Sequence, residues 1–117
     1  MESGQTSTAI FAAQKKQIQD QRPGAVFHES LSGIGPKEIN VPAVPKGTTM
    51  IGAAINCDEG GNWNLSVSQK TPARSQAQCS LGVTPAIEFP IDNKLGENKL
   101  VLEVNKDSHF WISIYYK

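Results

Sequence analysis

A chain of 117 residues is long enough for one domain with a single core and too short for two. Its 11 Lys and Arg balance 11 Asp and Glu, so there is no broad positive field to hold nucleic-acid phosphates and no acidic field to draw in a basic partner. No apolar run approaches the length of a bilayer span, so no transmembrane segment is expected, and the start "MESGQTSTAIFAAQKKQIQDQ" lacks the basic-then-apolar order of a signal peptide.

Residues 1–24 form the first unit, an N-terminal tether or short helix. "STAIFAAQKKQIQDQ" holds no Gly or Pro, is rich in Ala, Gln and Lys, and is stopped by Arg22-Pro23-Gly24. Ser7 or Thr8 suits the N-cap, and Ile10, Phe11, Gln14 and Ile18 share one side at helical spacing. That apolar stripe is thin. Such a helix docks on the domain, pairs with another copy or frays, and it is expected to add little to the core.

From residue 25 to 117 the period changes to two, broken by Pro and Gly. Seven strands are expected: 25–31, 37–43, 48–57, 62–70, 86–91, 99–105 and 109–116, with turns at "SGIGP", "VPKG", "DEGGN", "DNKLGEN" and "NKDS". No helical pattern separates any two strands, which argues against βαβ units and for antiparallel sheets. The expected fold is all-β, an antiparallel β-sandwich of about seven strands, with a small barrel as the alternative. The expected core includes Phe27, Leu31, Trp63, Leu65, Val67, Phe110, Ile112 and Ile114. "NWNLSVSQ" shows the pattern most clearly, with Trp63, Leu65 and Val67 inward and Asn62, Asn64, Ser66 and Ser68 outward.

Cys57 closes an apolar strand and Cys79 follows the polar stretch "QKTPARSQAQ". A disulfide between them would stabilise the fold by about 3 kcal/mol in the chain-entropy model. The alternative is two unrelated buried thiols. No C-x-x-C or histidine-rich tract points to zinc or redox chemistry, so the pair reads as structural and the compartment as oxidising. The chain is then expected to begin after a removed export sequence.

Motifs for catalysis are missing: no G-x-S-x-G, H-E-x-x-H, P-loop or EF-hand pattern occurs. His28 and Glu29 are adjacent and point to opposite faces of a strand, while Asp107 and His109 sit beside a turn. No catalytic residue, metal or cofactor is assigned. "CDEGGNW" brings Asp58, Glu59 and Asn62 near two glycines, but calcium wants six to eight oxygens and the stretch reads first as a turn. Asn64-Leu65-Ser66 matches an N-glycosylation triplet on the wet face.

The terminal strand "HFWISIYYK" raises a question of sidedness. Alternation sends Phe110, Ile112 and Ile114 inward and His109, Trp111 and Tyr115 outward. A hairpin through "NKDSH" would set those rings beside Glu103 and Asn105 of the preceding strand. Trp111, Tyr115, Glu103, Asn105 and His109 are therefore the candidate binding residues. Exposed rings stack on sugar faces while carboxylates and amides hydrogen-bond hydroxyls. Three readings compete: a glycan or peptide platform, a partner or dimer interface, and coverage by the N-terminal helix. On the outward reading, Trp111→Ala should destabilise less than Ile112→Ala.

The run "VPAVPKGTTMIGAAINCDEGGNWNLSVSQ", the following "CS" and the closing "FWISIYYK" resemble the small secreted or lipid-anchored β-sandwich proteins of actinobacteria. Pro45, Gly47, Cys57, Gly60, Gly61, Cys79 and Trp111 carry the resemblance over roughly residues 40–117. It implies export and an envelope role, supplies no catalytic residues, and the lipid-attachment cysteine of such proteins is absent here. The resulting expectation is a non-catalytic extracytoplasmic domain, secreted or anchored at the cell surface, that meets a protein partner or itself. A carbohydrate-binding module using an outward aromatic face is the alternative, with a glycan as ligand.

Overall fold

The computed structural model describes residues 3–58, 60–82, 86–92 and 96–117, with side chains described from Ser7 onward. One helix, α1 (Ser3–Gln21), precedes eight strands among these residues. They are β1 (Val26–Ile34), β2 (Lys37–Val41), β3 (Met50–Cys57), β4 (Asn62–Ser68), β5 (Ala73–Gln78), β6 (Ile87–Pro90), β7 (Asn98–Glu103) and β8 (His109–Tyr116). They form two antiparallel four-stranded sheets, in the orders β1-β8-β3-β6 and β2-β7-β4-β5. The expected sandwich is present, with one more strand than expected.

The additional strand is β5. Its "ARSQAQ" has no apolar alternation because it is an outer strand of the second sheet and is mostly exposed. The core is built from alternate residues of both sheets. Ile39, Val41, Trp63, Leu65, Val67, Leu100 and Leu102 of the second sheet meet Ile51, Ile55, Phe110, Ile112 and Ile114 of the first.

Phe27 departs from the expected core. The pairing of β1 with β8 slips between Phe27 and Glu29, so His28 is a bulge residue. One inserted residue reverses the alternation. Phe27 therefore lies opposite Tyr115 on the outer face, whereas Glu29 and Leu31 lie opposite Ile114 and Ile112.

Chain crossings place the turns. Gly47, with φ of 89°, sits third in a turn closed by Thr48 N–H donating to the Pro45 carbonyl at 3.1 Å, a position that demands positive φ. The β3–β4 and β7–β8 connections both pass from one sheet to the other at the same end of the sandwich. There the Cys57–Cys79 disulfide joins the end of β3 to the residue after β5, with Cα atoms 4.9 Å apart, and so staples the two sheets. The turn at residues 92–98 lies partly outside the described residues.

α1 packs across the outer face of the first sheet. Ile18 forms a second, smaller core with Ala54, Ala86 and Tyr115. Gly52 makes room for it: a Cβ there would lie 2.2 Å from Tyr115 Cζ and 2.6 Å from the Ile87 carbonyl oxygen. Gly52→Ala should therefore cost about 1–3 kcal/mol through overpacking, read as a lowered urea midpoint with the disulfide intact. An unchanged midpoint would show that both the Tyr115 ring and the Ile87 carbonyl move aside freely.

Candidate functional site

The outward face of β8 is covered. Trp111 is 7 % exposed and Tyr115 0 %. Trp111 Nε1 donates to Ser7 Oγ at 2.9 Å. Gln14, itself buried, donates from Nε2 to the Trp111 carbonyl at 2.9 Å and to Asn56 Oδ1 at 2.8 Å, and its Oε1 accepts from Ser113 Oγ at 2.6 Å. Ser30 Oγ lies 2.8 Å from Ser113 Oγ, and Asn56 Nδ2 donates to the Ser80 and Gly82 carbonyls. Ser7 and Gln14 lie on the same side of the helix as the half-buried Ile10 and Phe11 and the buried Ile18, so polar groups share the docking stripe with apolar ones. Coverage by the N-terminal helix, one of the three readings of this face, is what the structure contains.

The far end of α1 is tied by different chemistry. Arg22 Nη2 donates to the Ala86 carbonyl at 2.9 Å, the Ala86 N–H donates to Gln21 Oε1 at 2.9 Å, and Arg22 Nε lies 3.3 Å from Glu88 Oε2. Tyr115 Oη donates to the same carboxylate at 3.0 Å, with the Ile87 carbonyl oxygen 3.1 Å away. Burial, and next the Glu88 charge, push the Tyr115 phenol well above the usual tyrosine range. Tyr116 shifts the same way, first by burial and then by Glu29.

Two consequences follow for the expected site. Trp111 is part of a packed interface, so the premise that Trp111→Ala is milder than Ile112→Ala no longer holds. Both side chains fall in the class whose truncation costs about 2–5 kcal/mol. Moreover, β7 and β8 are in different sheets. Glu103 pairs with Asn64 on the second sheet, so it cannot share a face with Trp111 and Tyr115, which lie on the first.

The remaining candidates gather at the end of the sandwich where the β3–β4 and β7–β8 turns meet. His109 N–H donates to Asp58 Oδ2 at 2.9 Å, the Asp58 N–H donates to the His109 carbonyl at 3.1 Å, and His109 Nδ1 lies 3.5 Å from Asp58 Oδ2. The imidazole also stacks on the Trp111 ring, with centroids 5.9 Å apart. Between the two turns is an open cleft of about 500 Å³ lined by Asp58, Gly60, Gly61 and residues 105–108. Asn105 also borders a second cleft of about 250 Å³, whose lining includes Asn62, Asn64, Gln76 and Glu103. Through Asn105 the two clefts form one continuous surface that carries these amides and carboxylates.

Strand register explains that surface. Across the second sheet, Gln78 lies opposite Asn62, while Gln76, Asn64 and Glu103 form a row over three strands. Asn64 Nδ2 donates to Gln76 Oε1 at 3.3 Å. Alternation in "NWNLSVSQ" marked Asn62 and Asn64 as outward, but their amide partners sit on β5, the strand without an apolar signal. Amides and a carboxylate in such rows can exchange hydrogen bonds with hydroxyl groups. The oxygen-rich turn includes Glu59, which lies outside the described residues. Among the described residues, no three His, Cys, Asp or Glu side chains converge as metal ligands.

No family model matches the chain, and no curated protein matches it. Among solved structures, it is similar to one described as TmCBM61 in complex with β-1,4-galactotriose. The identity is 20 %, the match covers 79 % of this chain and 66 % of that chain, and the TM-score is 0.41.

The Tyr115 environment makes an alkaline limb of stability predictable. A tyrosine whose folded pKa lies above its unfolded value of about 10 contributes stability that is complete below about pH 10 and is lost as pH rises toward the folded value. The urea midpoint should therefore fall as pH rises above about 10, and Tyr115→Phe should flatten that fall while lowering the midpoint at pH 8, by about 1–3 kcal/mol for the lost hydrogen bond. An identical alkaline slope in Tyr115→Phe would assign the effect to other groups.

Proposed function

We propose that this chain is a non-catalytic extracytoplasmic binding module, and that its ligand is a hydroxyl-rich glycan held at the polar end of the second sheet. The observation that carries this reading is the amide and carboxylate row of Gln76, Asn64 and Glu103, open to solvent and continuous through Asn105 with the cleft between the turns. Neighbouring sugar hydroxyls present donors and acceptors at spacings that fixed amides can match. Trp111 and Tyr115 do not line this surface, and Trp63, which borders the second cleft, is only 3 % exposed, so recognition rests on hydrogen bonds. A few such bonds, each contributing about 0.5–1.5 kcal/mol net, correspond to a dissociation constant on the order of 1 mM.

The disulfide supports the oxidising compartment, and no described helix is long and apolar enough to cross a membrane. A second reading, contact with a protein partner or another copy, rests on a different surface, the outer edge of β1, where Val26, Phe27 and Ile34 are exposed.

The test is a titration of isotope-labelled protein with neutral and acidic oligosaccharides, including cell-wall fragments, followed by amide shifts. Shifts clustered at Asn62, Asn64, Gln76 and Asn105, with affinity lowered about fivefold or more by Asn64→Ala or Gln76→Ala, are expected. No response to any glycan at about 10 mM, or shifts confined to other surfaces, would overturn the reading.

A further inference from the structure

Four large apolar side chains are exposed among the described residues, and three of them belong to β1: Val26 at 59 %, Phe27 at 37 % and Ile34 at 59 %. β1 is an outer strand of the first sheet, and one of its edges meets β8. Among the described residues, no backbone group of the chain pairs with the other edge. An unpaired edge presents a row of N–H and C=O groups to any extended segment.

The other outer strands are poorer templates. β6 has four residues and carries Pro90, β2 is enclosed by Pro36 and Pro42, and β5 presents Arg74, Gln76 and Gln78. β1 has nine residues and no proline.

We propose that β1 pairs antiparallel with β1 of a second copy of this chain across a twofold axis at Leu31, joining the two first sheets edge to edge. Leu31 then lies opposite Leu31 of the second copy, and Glu29 lies opposite Gly33. Past the His28 bulge, Phe27 comes opposite Ile34. Both Phe27 and Ile34 are on the helix side of the sheet, since their partners in β8 are Tyr115 and His109. The symmetry makes this contact twice. The half-buried Leu31, which already packs against the main core, meets its own copy at the core side of the edge.

This register is the self-complementary one. An axis at Ser30 would set Phe27 against Ser32 and leave Ile34 beside Ala25. An axis at Ser32 would set Phe27 against Pro36. Only the Leu31 axis covers Phe27 with Ile34, and it brings no two carboxylates face to face. The bulge and Glu29, features that discourage indiscriminate edge pairing, thus select one partner geometry. Antiparallel twofold pairing is also the closed arrangement, so it ends at a dimer.

Sedimentation velocity on the full chain with its disulfide intact, from about 10 µM to about 1 mM, should show a monomer–dimer equilibrium that Ile34→Lys and Phe27→Lys each weaken about tenfold or more. Leu81→Lys, which alters the fourth exposed apolar side chain away from β1, should leave it unchanged. Near-ultraviolet circular dichroism checks that each variant is folded. Register is read by cross-linking: a mixture of Phe27→Cys and Ile34→Cys chains should couple through a new intermolecular disulfide, and Phe27→Cys alone should not. A protein that stays monomeric throughout, a dimer indifferent to Ile34→Lys, or Phe27→Cys coupling to itself as well as to Ile34→Cys would overturn the proposal.

Discussion

Strand β8 lies between β1 and β3, and from Phe110 to Tyr116 it is buried on both faces. A two-stranded neighbourhood settles its backbone hydrogen bonds, and the sandwich core settles Phe110, Ile112 and Ile114. Neither provides for Trp111, Ser113 and Tyr115. An aromatic, partly polar face left in water would be a sticky surface, and one covered by purely apolar groups would strand the Ser113 hydroxyl and the Tyr115 phenol. The rest of the architecture answers that constraint: α1 covers the face, Gly52 leaves room for the Tyr115 ring, and Glu88 receives its hydroxyl.

Polar bonds fix where the cover sits. Gln14 uses both ends of its amide on three partners from two strands, Asn56, Trp111 and Ser113. An apolar stripe tolerates sliding by a turn of helix, because one methylene is much like another. A buried amide does not, since any shift leaves donors and acceptors unmatched at about 1–3 kcal/mol each. α1 therefore has one seat on the sheet. The Arg22–Glu88 contact and the Gln21–Ala86 bond fix its other end.

Much of the sandwich was legible because buried strands advertise themselves by alternation, as "NWNLSVSQ" does. β5 was not, since an exposed outer strand has no apolar period to show. Phe27 was misplaced because one bulge residue, His28, reverses a parity that cannot be seen in sequence. Cys57 and Cys79 were legible as a pair from composition and placement. Parity put Trp111 and Tyr115 correctly on the outer side of β8 but could not say what lay over them. The signal for that was present and easily misread: Ser7, Gln14 and Gln21 recur a heptad apart on the side where Ile18 lies, and polar residues in such a stripe look like solvent contacts. The pairing of Glu103 with Trp111 failed for a topological reason, because a short turn between successive strands reads as a hairpin whether or not the chain changes sheets.

These divisions leave two surfaces of different character, the amide-lined end of the second sheet and the apolar edge of the first. β1 and β5 belong to different sheets, so edge pairing through β1 leaves the row of Gln76, Asn64 and Glu103 uncovered. A site built from hydrogen bonds alone is weak, and joining two such sites in one particle converts the second binding event into an intramolecular one at an effective concentration of about millimolar. If both surfaces act as proposed, Ile34→Lys should reduce retention on a polymeric glycan by about tenfold or more while leaving the affinity for a single short oligosaccharide unchanged. Comparing immobilised-polymer retention with the solution titration separates the two effects. Equal loss in both assays would mean that the β1 edge belongs to the ligand site itself, and unchanged retention would mean that pairing adds nothing to binding.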